Sequence, residues 1–491
     1  MADSLVEDAG RAMRWRVPAA FALAAGCYLL LLALGGRLLS DPDTYWQIAL
    51  GDWIVAQGAL PHSDTFSWSM AGAPWISSQW LAQVLFAQAF ALAGWVGVVV
   101  LSALAVALAL GLLTRFLLER LAAGPAIALS VAGFVLASPH LLARAHVLAL
   151  PLMVAWIAGL MRAREQDCAP SFRLLPLMTL WANLHGGFTF GIVFIAPLAL
   201  EALWMAPPQR RVEVALRWGG FAVLAVAVAC ITPYGPESIL VTRRILDLGP
   251  ALALIGEWQP QNFAVLGGFE LCLLLGVGFA LHRGLTLPPM RIVLLLGLLH
   301  MALSHNRYGE LLGLLAPMVV AAPLAPQLGR PRAEPADALR VAWPALLALA
   351  LGLGAVTAAL AYERDYRPDP RITPARAVAA LKASGKTRVL NGYEFGGYLI
   401  AAGVAPYIDG RTELYGQAFF MRHDRILKLQ DVDDLLRMLH DDHVDATLLA
   451  PGTPAIGLLD HLKGWTRLYA DAIAVVHVRT GAAAAKAEQL Q

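Results

Sequence analysis

From its first apolar run to Tyr362 the chain reads as a series of long hydrophobic stretches separated by short polar loops. Crossing the hydrocarbon core takes about 20 apolar residues as helix. On that rule the pattern predicts crossings over 17–39, 96–118, 122–138, 147–163, 172–184, 187–206, 214–232, 263–282, 288–304, 309–325 and 342–362, about 11 in all. The stretch 79–93 is apolar as well, but a crossing there would put Arg115 and Arg120 outside. Lys and Arg concentrate in cytoplasmic loops, so 79–93 reads instead as a helix lying on the outer interface. The remaining basic clusters then fall inside: Arg11, Arg14 and Arg16; Arg162 and Arg164; Arg210 and Arg211; Arg283 and Arg291; Arg330, Arg332 and Arg340. The N-terminal run follows three arginines without a small-residue cleavage site, so it reads as an uncleaved first crossing.

After Tyr362 the pattern changes. Pro374 to Ser384 and Val432 to His440 have helical spacing, whereas 388–391, 406–409, 446–449 and 472–478 read as short buried strands. The pattern predicts a membrane domain over 1–362, with a first external loop over 40–95 that carries interfacial helices, and an external α/β domain over 363–491. The stretch from Gly481 onward is small and polar and reads as a frayed end.

Composition sharpens the class. With 58% hydrophobic and 15% charged residues, the chain is a multi-pass membrane protein. A net charge of +2, spread in short clusters between apolar spans, excludes a nucleic-acid binder. Cys27, Cys168, Cys230 and Cys272 have neither metal-ligand spacing nor a pairing pattern and read as core or lipid-facing residues. There is no G-x-x-x-x-G-K-[ST] loop, so direct ATP hydrolysis is not the expected energy source.

The chemistry concentrates where helix one meets the outer face, at Ser40-Asp41-Pro42-Asp43-Thr44-Tyr45-Trp46. Two carboxylates beside a bilayer are costly and mark a functional site. Asp41 or Asp43 there can act as a general base toward a hydroxyl, or the pair can hold a divalent cation such as Mg2+ or Mn2+. Simple helix capping accounts for one acid but not for both. An anionic substrate on the same face needs cations, and Arg144, the pair Arg243 and Arg244, and Arg307 are the arginines the topology leaves outside. Arginine's planar fork suits a phosphate. Arg144 and Arg307 are flanked by His146 and His305. Asn183 and His185 precede a Gly186-Gly187 break that suits backbone lining a cavity, and Glu257 with Trp258 would suit a sugar ring. Asp409 and Arg411 follow a predicted strand of the tail, where α/β domains place ligands.

Several motifs carry a resemblance. Asp41-Pro42-Asp43-Thr44-Tyr45-Trp46-Gln47-Ile48, Gly51-Asp52-Trp53-Ile54, Gly58-Ala59-Leu60-Pro61, Asp64-Thr65-Phe66-Ser67 and Trp80-Leu81 resemble a bacterial group of membrane proteins related to the glycosyltransferase C superfamily. The match extends to Trp181-Ala182-Asn183-Leu184-His185-Gly186-Gly187, to Gly396-Gly397-Tyr398-Leu399 and to Ile408 through Gly416. That superfamily comprises integral-membrane enzymes that use polyprenyl-phosphate-linked sugars. The resemblance implies a polytopic α-helical fold with a soluble α/β tail, a bacterial inner-membrane location with a periplasmic C-terminal domain, and a base or metal ligand at Asp41 or Asp43. Many members have Asp-Glu where this chain has Asp-Pro-Asp, which leaves open which acid is the base. The implied partners are a polyprenyl-phosphate-linked sugar donor, a glycan, lipid or protein acceptor, and the bilayer. Two other classes fit the same sequence less well: a transporter or flippase of an amphiphilic solute, which would show inverted repeats, and a non-catalytic scaffold of an envelope polysaccharide system.

Overall fold

The computed structural model describes residues 18–329 and 343–480. The arginine cluster at positions 11–16, the one at 330–340 and the segment from Gly481 lie outside the described residues. The chain begins with α1 (Ala19–Ala33), a single turn α2 (Gly35–Leu38) and α3 (Asp43–Gln57), which carries the acid motif at its start. Next come α4 (Trp80–Leu118), α5 (Ala123–Ala137) and α6 (Ala145–Glu165). They are followed by α7 (Leu175–Leu184), α8 (Phe188–Val193), α9 (Ile195–Met205), α10 (Arg211–Ala229) and the external helix α11 (Glu237–Leu246). The membrane domain closes with α12 (Gly268–Arg283), α13 (Pro289–Ser304), α14 (Gly309–Leu328) and α15 (Trp343–Glu363).

Among the described residues, six helical stretches are long and apolar enough to cross a bilayer: 80–118, 123–140, 145–165, 188–205, 208–229 and 306–328. Three shorter ones, 19–33, 289–304 and 347–363, are apolar over fewer residues. The crossing expected over 172–184 is the ten-residue α7. At 1.5 Å per residue it reaches about 15 Å, half the hydrocarbon core. Helix α4 is continuous in hydrogen bonding but breaks at Ala93 and Gly94, where Gly94 adopts φ 57°, a left-handed conformation that suits glycine. The sequence places its division between interfacial helix and crossing at the same point. Small residues let helices meet closely in an apolar medium. Gly133 of α5 and Gly313 of α14 each lie against the other's carbonyl, with no room for a Cβ.

The tail holds α16 (Ala375–Ala383), α17 (Gly396–Ala401), α18 (Thr412–Leu427), α19 (Val432–Asp441) and α20 (Ala455–Leu459) around a four-stranded sheet. Its strands are β1 (Val389–Asn391), β2 (Ala446–Leu449), β3 (Trp465–Ala470) and β4 (Val475–Arg479), in the order β1-β2-β4-β3. β1 and β2 run parallel, with Leu390 opposite Thr447, and the other pairs are antiparallel. Ala377, Leu381, Val389, Phe395, Leu399, Leu448 and Val476 form its core.

The tail differs from the sequence expectation in two respects. The strand expected over 406–409 makes only an isolated bridge between Val389 and Pro406. The Asn391 side chain takes the place of a ladder partner, accepting from the Tyr407 N–H at 2.7 Å and donating to the Ile408 carbonyl at 2.8 Å. Helix α18 has no counterpart in the hydrophobic pattern, because Gly416, at φ 73°, kinks it and breaks the periodicity.

The first external loop and the tail are locked together by a buried ionic knot. The Arg411 guanidinium, 1% exposed, donates to Asp64 of the loop at 2.6 Å and to Asp409 at 2.7 and 2.8 Å. Tyr415 donates to Asp409 at 2.6 Å. Trp68 Nε1 donates to the Val389 carbonyl at 3.0 Å, and Trp75 Nε1 donates to Glu413 at 2.9 Å. Burial alone would raise Asp409, but Arg411 and Tyr415 hold it below the ordinary carboxylate range. Its contribution to stability is therefore present above that range and is lost as the pH falls through it.

Two predictions follow from this packing. Arg411→Met strands Asp64 and Asp409 as buried, unpaired charges, so it should destabilise the fold by about 3–5 kcal/mol and lower the melting temperature of the detergent-solubilised protein. Gly313→Leu should force α14 away from α5 at a cost of about 1–3 kcal/mol, read in the same melt; an unchanged melting temperature would contradict the close approach.

Candidate active site

The polar chain starts at the loop between α2 and α3. Asp41 accepts from the Asp43 backbone N–H at 2.8 Å, a turn that ends one helix and opens the next. Asp43 stands in the first turn of α3, where the helix dipole favours a negative charge, and its Oδ1 accepts from Trp46 Nε1 at 3.0 Å. Both acids are buried, at 8% and 7% exposure.

Arg144, at the N-terminal edge of α6, reaches across to them. Its Nη2 lies 2.9 Å from Asp43 Oδ2, and its Nη1 lies 3.2 Å from Asp41 Oδ2 and 3.1 Å from Glu257 Oε2. The second oxygen of Glu257 pairs with Arg307 Nη1 at 2.8 Å. Arg307 in turn lies over the Trp258 ring, 4.5 Å from its centre. His305 faces the same ring at 5.4 Å, and its Nδ1 is 2.7 Å from the Trp258 carbonyl oxygen. The result is a continuous chain, Asp43–Arg144–Glu257–Arg307, with Asp41 as a side branch. It joins residues from four separate parts of the sequence.

His146 and His185 stand beside the chain with ring centres 6.1 Å apart. His146 Nε2 is 2.8 Å from the His140 carbonyl oxygen and 3.5 Å from Glu310. His185 Nδ1 accepts from the Gly187 N–H at 3.0 Å, so the glycine pair shapes the turn. Glu310, 8% exposed at the start of α14, is a fourth acid here that the sequence reading did not single out. Its only sequence signal is its place four residues after the Ser304-His305-Asn306 break. Tyr393 of the tail was also not singled out; it lies near enough to Asp43 and Arg144 for their charges to act on its phenol.

Other candidates stand apart from the chain. Asn183 is used as a clamp, accepting from Trp80 Nε1 at 2.9 Å and donating to the Thr179 and Ile231 carbonyls at 2.8 and 3.0 Å. Asp409 and Arg411 belong to the ionic knot described above, and between them Gly410 packs directly on Asp43. Arg243 and Arg244 are exposed on α11, with Arg243 3.8 Å from Asp247.

The charges set distinct protonation states along the chain. Burial raises Asp43 most, Arg144 opposes this and Asp41 adds to it, and the carboxyl is pushed up to about 7. Burial raises Asp41 as well. Glu257 behaves in the opposite way: burial would raise it, but Arg144 and Arg307 hold it down at about 2. Burial works against the charge on Arg144, yet Asp41, Glu257 and Asp43 hold its pKa well above the ordinary value. Glu257 is therefore a fixed counter-charge, and Asp43 is a carboxylate poised to exchange a proton near neutrality.

A divalent ion on Asp41 and Asp43 would have to compete with Arg144, which bridges them. Among the described residues, no group of three or more His, Cys, Asp or Glu side chains is placed to hold a metal. The chemistry these residues supply by themselves is proton acceptance at Asp43 beside two guanidinium groups suited to a phosphate.

No protein-family model and no curated protein matches the chain. Solved structures do match. The archaeal oligosaccharyltransferase AglB from Archaeoglobus fulgidus, in complex with an inhibitory peptide and a dolichol-phosphate, is similar at a TM-score of 0.51 and 11% identity, over 88% of this chain and 69% of that one. The apo oligosaccharyltransferase from the same organism matches over the same shares at 0.49 and 11%. ArnT from Cupriavidus metallidurans, bound to undecaprenyl phosphate, matches at 0.47 and 14%, over 94% of this chain and 98% of that one. At these identities the likeness to AglB establishes fold: the chain has the architecture of a multi-pass membrane oligosaccharyltransferase, with apolar helices below and a small sheet domain above.

Proposed function

We propose that the protein is a glycosyltransferase of the bacterial inner membrane, crossing it about 11 times, that moves a sugar from a polyprenyl phosphate to an acceptor hydroxyl on the periplasmic face. The observation that carries the reading is the buried chain Asp43–Arg144–Glu257–Arg307, in which one carboxylate is tuned to about 7 while the other is fixed as a counter-charge at about 2. The fold likeness supports it, since the similar AglB was solved with a dolichol-phosphate.

In this mechanism the acceptor oxygen attacks the anomeric carbon and passes its proton to Asp43. The bond from that carbon to the phosphate oxygen breaks, and its electron pair leaves with the lipid phosphate. Arg144 and Arg307 meet the phosphate with donors turned partly away from Glu257, and Trp258 offers a flat face to the sugar. Attack opposite the leaving group inverts the anomeric centre. A phosphate leaves readily, so orientation, deprotonation and charge neutralisation supply the rate.

The direct test is mass spectrometry of envelope glycans and lipid-linked sugars in strains carrying wild type, a deletion or Asp43→Asn. The substitution should cut transfer by roughly 100-fold or more, with the deletion's glycan lost and its lipid-linked donor accumulating at normal protein level. Unchanged glycans in the Asp43→Asn strain, with a changed deletion strain, would make the acidic loop structural and favour transport or scaffolding.

The pH dependence has a fixed sign. Asp43 accepts a proton only when ionised, so transfer by isolated membranes should rise with pH, half-maximal near 7. Glu257→Gln removes a negative neighbour and frees Arg144, so it should move that midpoint down. A midpoint that stays in place or rises would show that another group takes the proton.

A further inference from the structure

The tail domain carries a side chain into the charged chain that no membrane helix supplies. Tyr393 opens a short turn, Tyr393–Phe395, that runs directly into α17. Residues four apart share a helical face, and the residue four positions on, Gly397, rests on the carbonyl of Pro42, between the two acids. Gly410 of the same domain rests on Asp43 itself. Tyr393 is thus borne to the acid loop by two glycines that allow the backbone to approach. Its ring stands edge-on to Phe420 of α18, with centres 5.2 Å apart and planes at 77°.

The hydroxyl is left over from this packing. Among the described residues it has no hydrogen-bond partner, and it is not one of the fully enclosed polar atoms, so it keeps access to the space beside the acids. A tyrosine hydroxyl this deep ordinarily finds a partner. Burial and then the charge of Asp43 hold the phenol well above its usual range, against the pull of Arg144, so it stays a neutral O–H donor.

Asp43 and Tyr393 are complementary. An ionised carboxylate only accepts, a phenol can donate, and an alcohol hydroxyl needs one of each. We propose that Tyr393 is a catalytic residue of the tail domain, donating to the acceptor hydroxyl while Asp43 takes that hydroxyl's proton. This deepens the glycosyltransferase reading and rests on it. As the acceptor O–H bond breaks, its proton goes to Asp43 and its oxygen bonds to the anomeric carbon. The electron pair of the carbon–phosphate-oxygen bond leaves with the lipid phosphate, and Tyr393 keeps its own proton, steadying the charge that develops on the acceptor oxygen. The site is incomplete until the tail is docked, which gives the knot at Arg411 a role in activity as well as in stability.

Tyr393→Phe removes the hydroxyl and keeps the ring. Wild type, Tyr393→Phe and Asp43→Asn are compared in three ways: transfer by isolated membranes, scaled to folded protein measured by size-exclusion chromatography; melting temperature; and affinity of the purified protein for undecaprenyl phosphate. The expected result for Tyr393→Phe is transfer lowered roughly 10- to 100-fold, with melting temperature unchanged and undecaprenyl phosphate affinity within twofold of wild type. Wild-type transfer by Tyr393→Phe beside an inactive Asp43→Asn overturns this inference and leaves the glycosyltransferase reading intact. A matching loss of undecaprenyl phosphate affinity assigns the hydroxyl to the donor phosphate and also overturns it. Transfer unaffected by Asp43→Asn overturns both.

Discussion

The structure is organised around one guanidinium held among carboxylates where water is scarce. Arg144 touches Asp41, Asp43 and Glu257 at 2.9 to 3.2 Å, and each of these acids comes from a different turn or loop. Charges out of water must be paired and hydrogen-bonded, so the first loop, the start of α6 and the loop after α11 are compelled to converge. With three acids and two arginines the chain carries a spare negative charge, and burial relieves it by lifting Asp43 toward neutrality rather than Glu257. The feature that makes the cluster stable in an apolar protein also makes one of its members a base.

The tail is fastened to this cluster by a second buried arginine. Arg411 links Asp409 of the tail to Asp64 of the first loop, and Gly397 and Gly410 let the tail backbone press on Pro42 and Asp43. Sites in membrane glycosyl transfer must admit a lipid from the side and a polar acceptor from above. A domain that both covers the acids and touches them is suited to the second task. Its sheet core stands by itself, and contact with the membrane domain runs through residues 391–415, so positioning and folding are handled by different parts of the same domain.

Much of the helical architecture is legible because a bilayer demands long apolar runs. α5, α6, α10, α13 and α14 begin within about three residues of the runs seen in the pattern. The acid motif stands out for the complementary reason that carboxylates beside lipid are costly. Other features depend on contacts the pattern does not encode. Asn391 replaces a strand partner for Tyr407 and Ile408, so a run that looks like a strand is none. β3 alternates little and is mostly exposed, and α18 is hidden by the kink at Gly416. Asp409 and Arg411 are recognisable as a charged pair, but their partner lies 345 positions from Asp409, at Asp64, and nothing local announces it. Glu310 and Tyr393 have ordinary sequence surroundings; only the folded chain brings them beside Arg144 and His146.

The central claim is that the charged chain receives a lipid phosphate. The most direct measurement is a cryo-electron-microscopy structure of the protein in nanodiscs with undecaprenyl phosphate. The account predicts the phosphate against Arg144 and Arg307, with Glu257 displaced from one of them and Asp43 facing the open side. Density for the phosphate at another arginine, or a lipid bound away from this cluster while the Arg144 contacts persist unchanged, would contradict it.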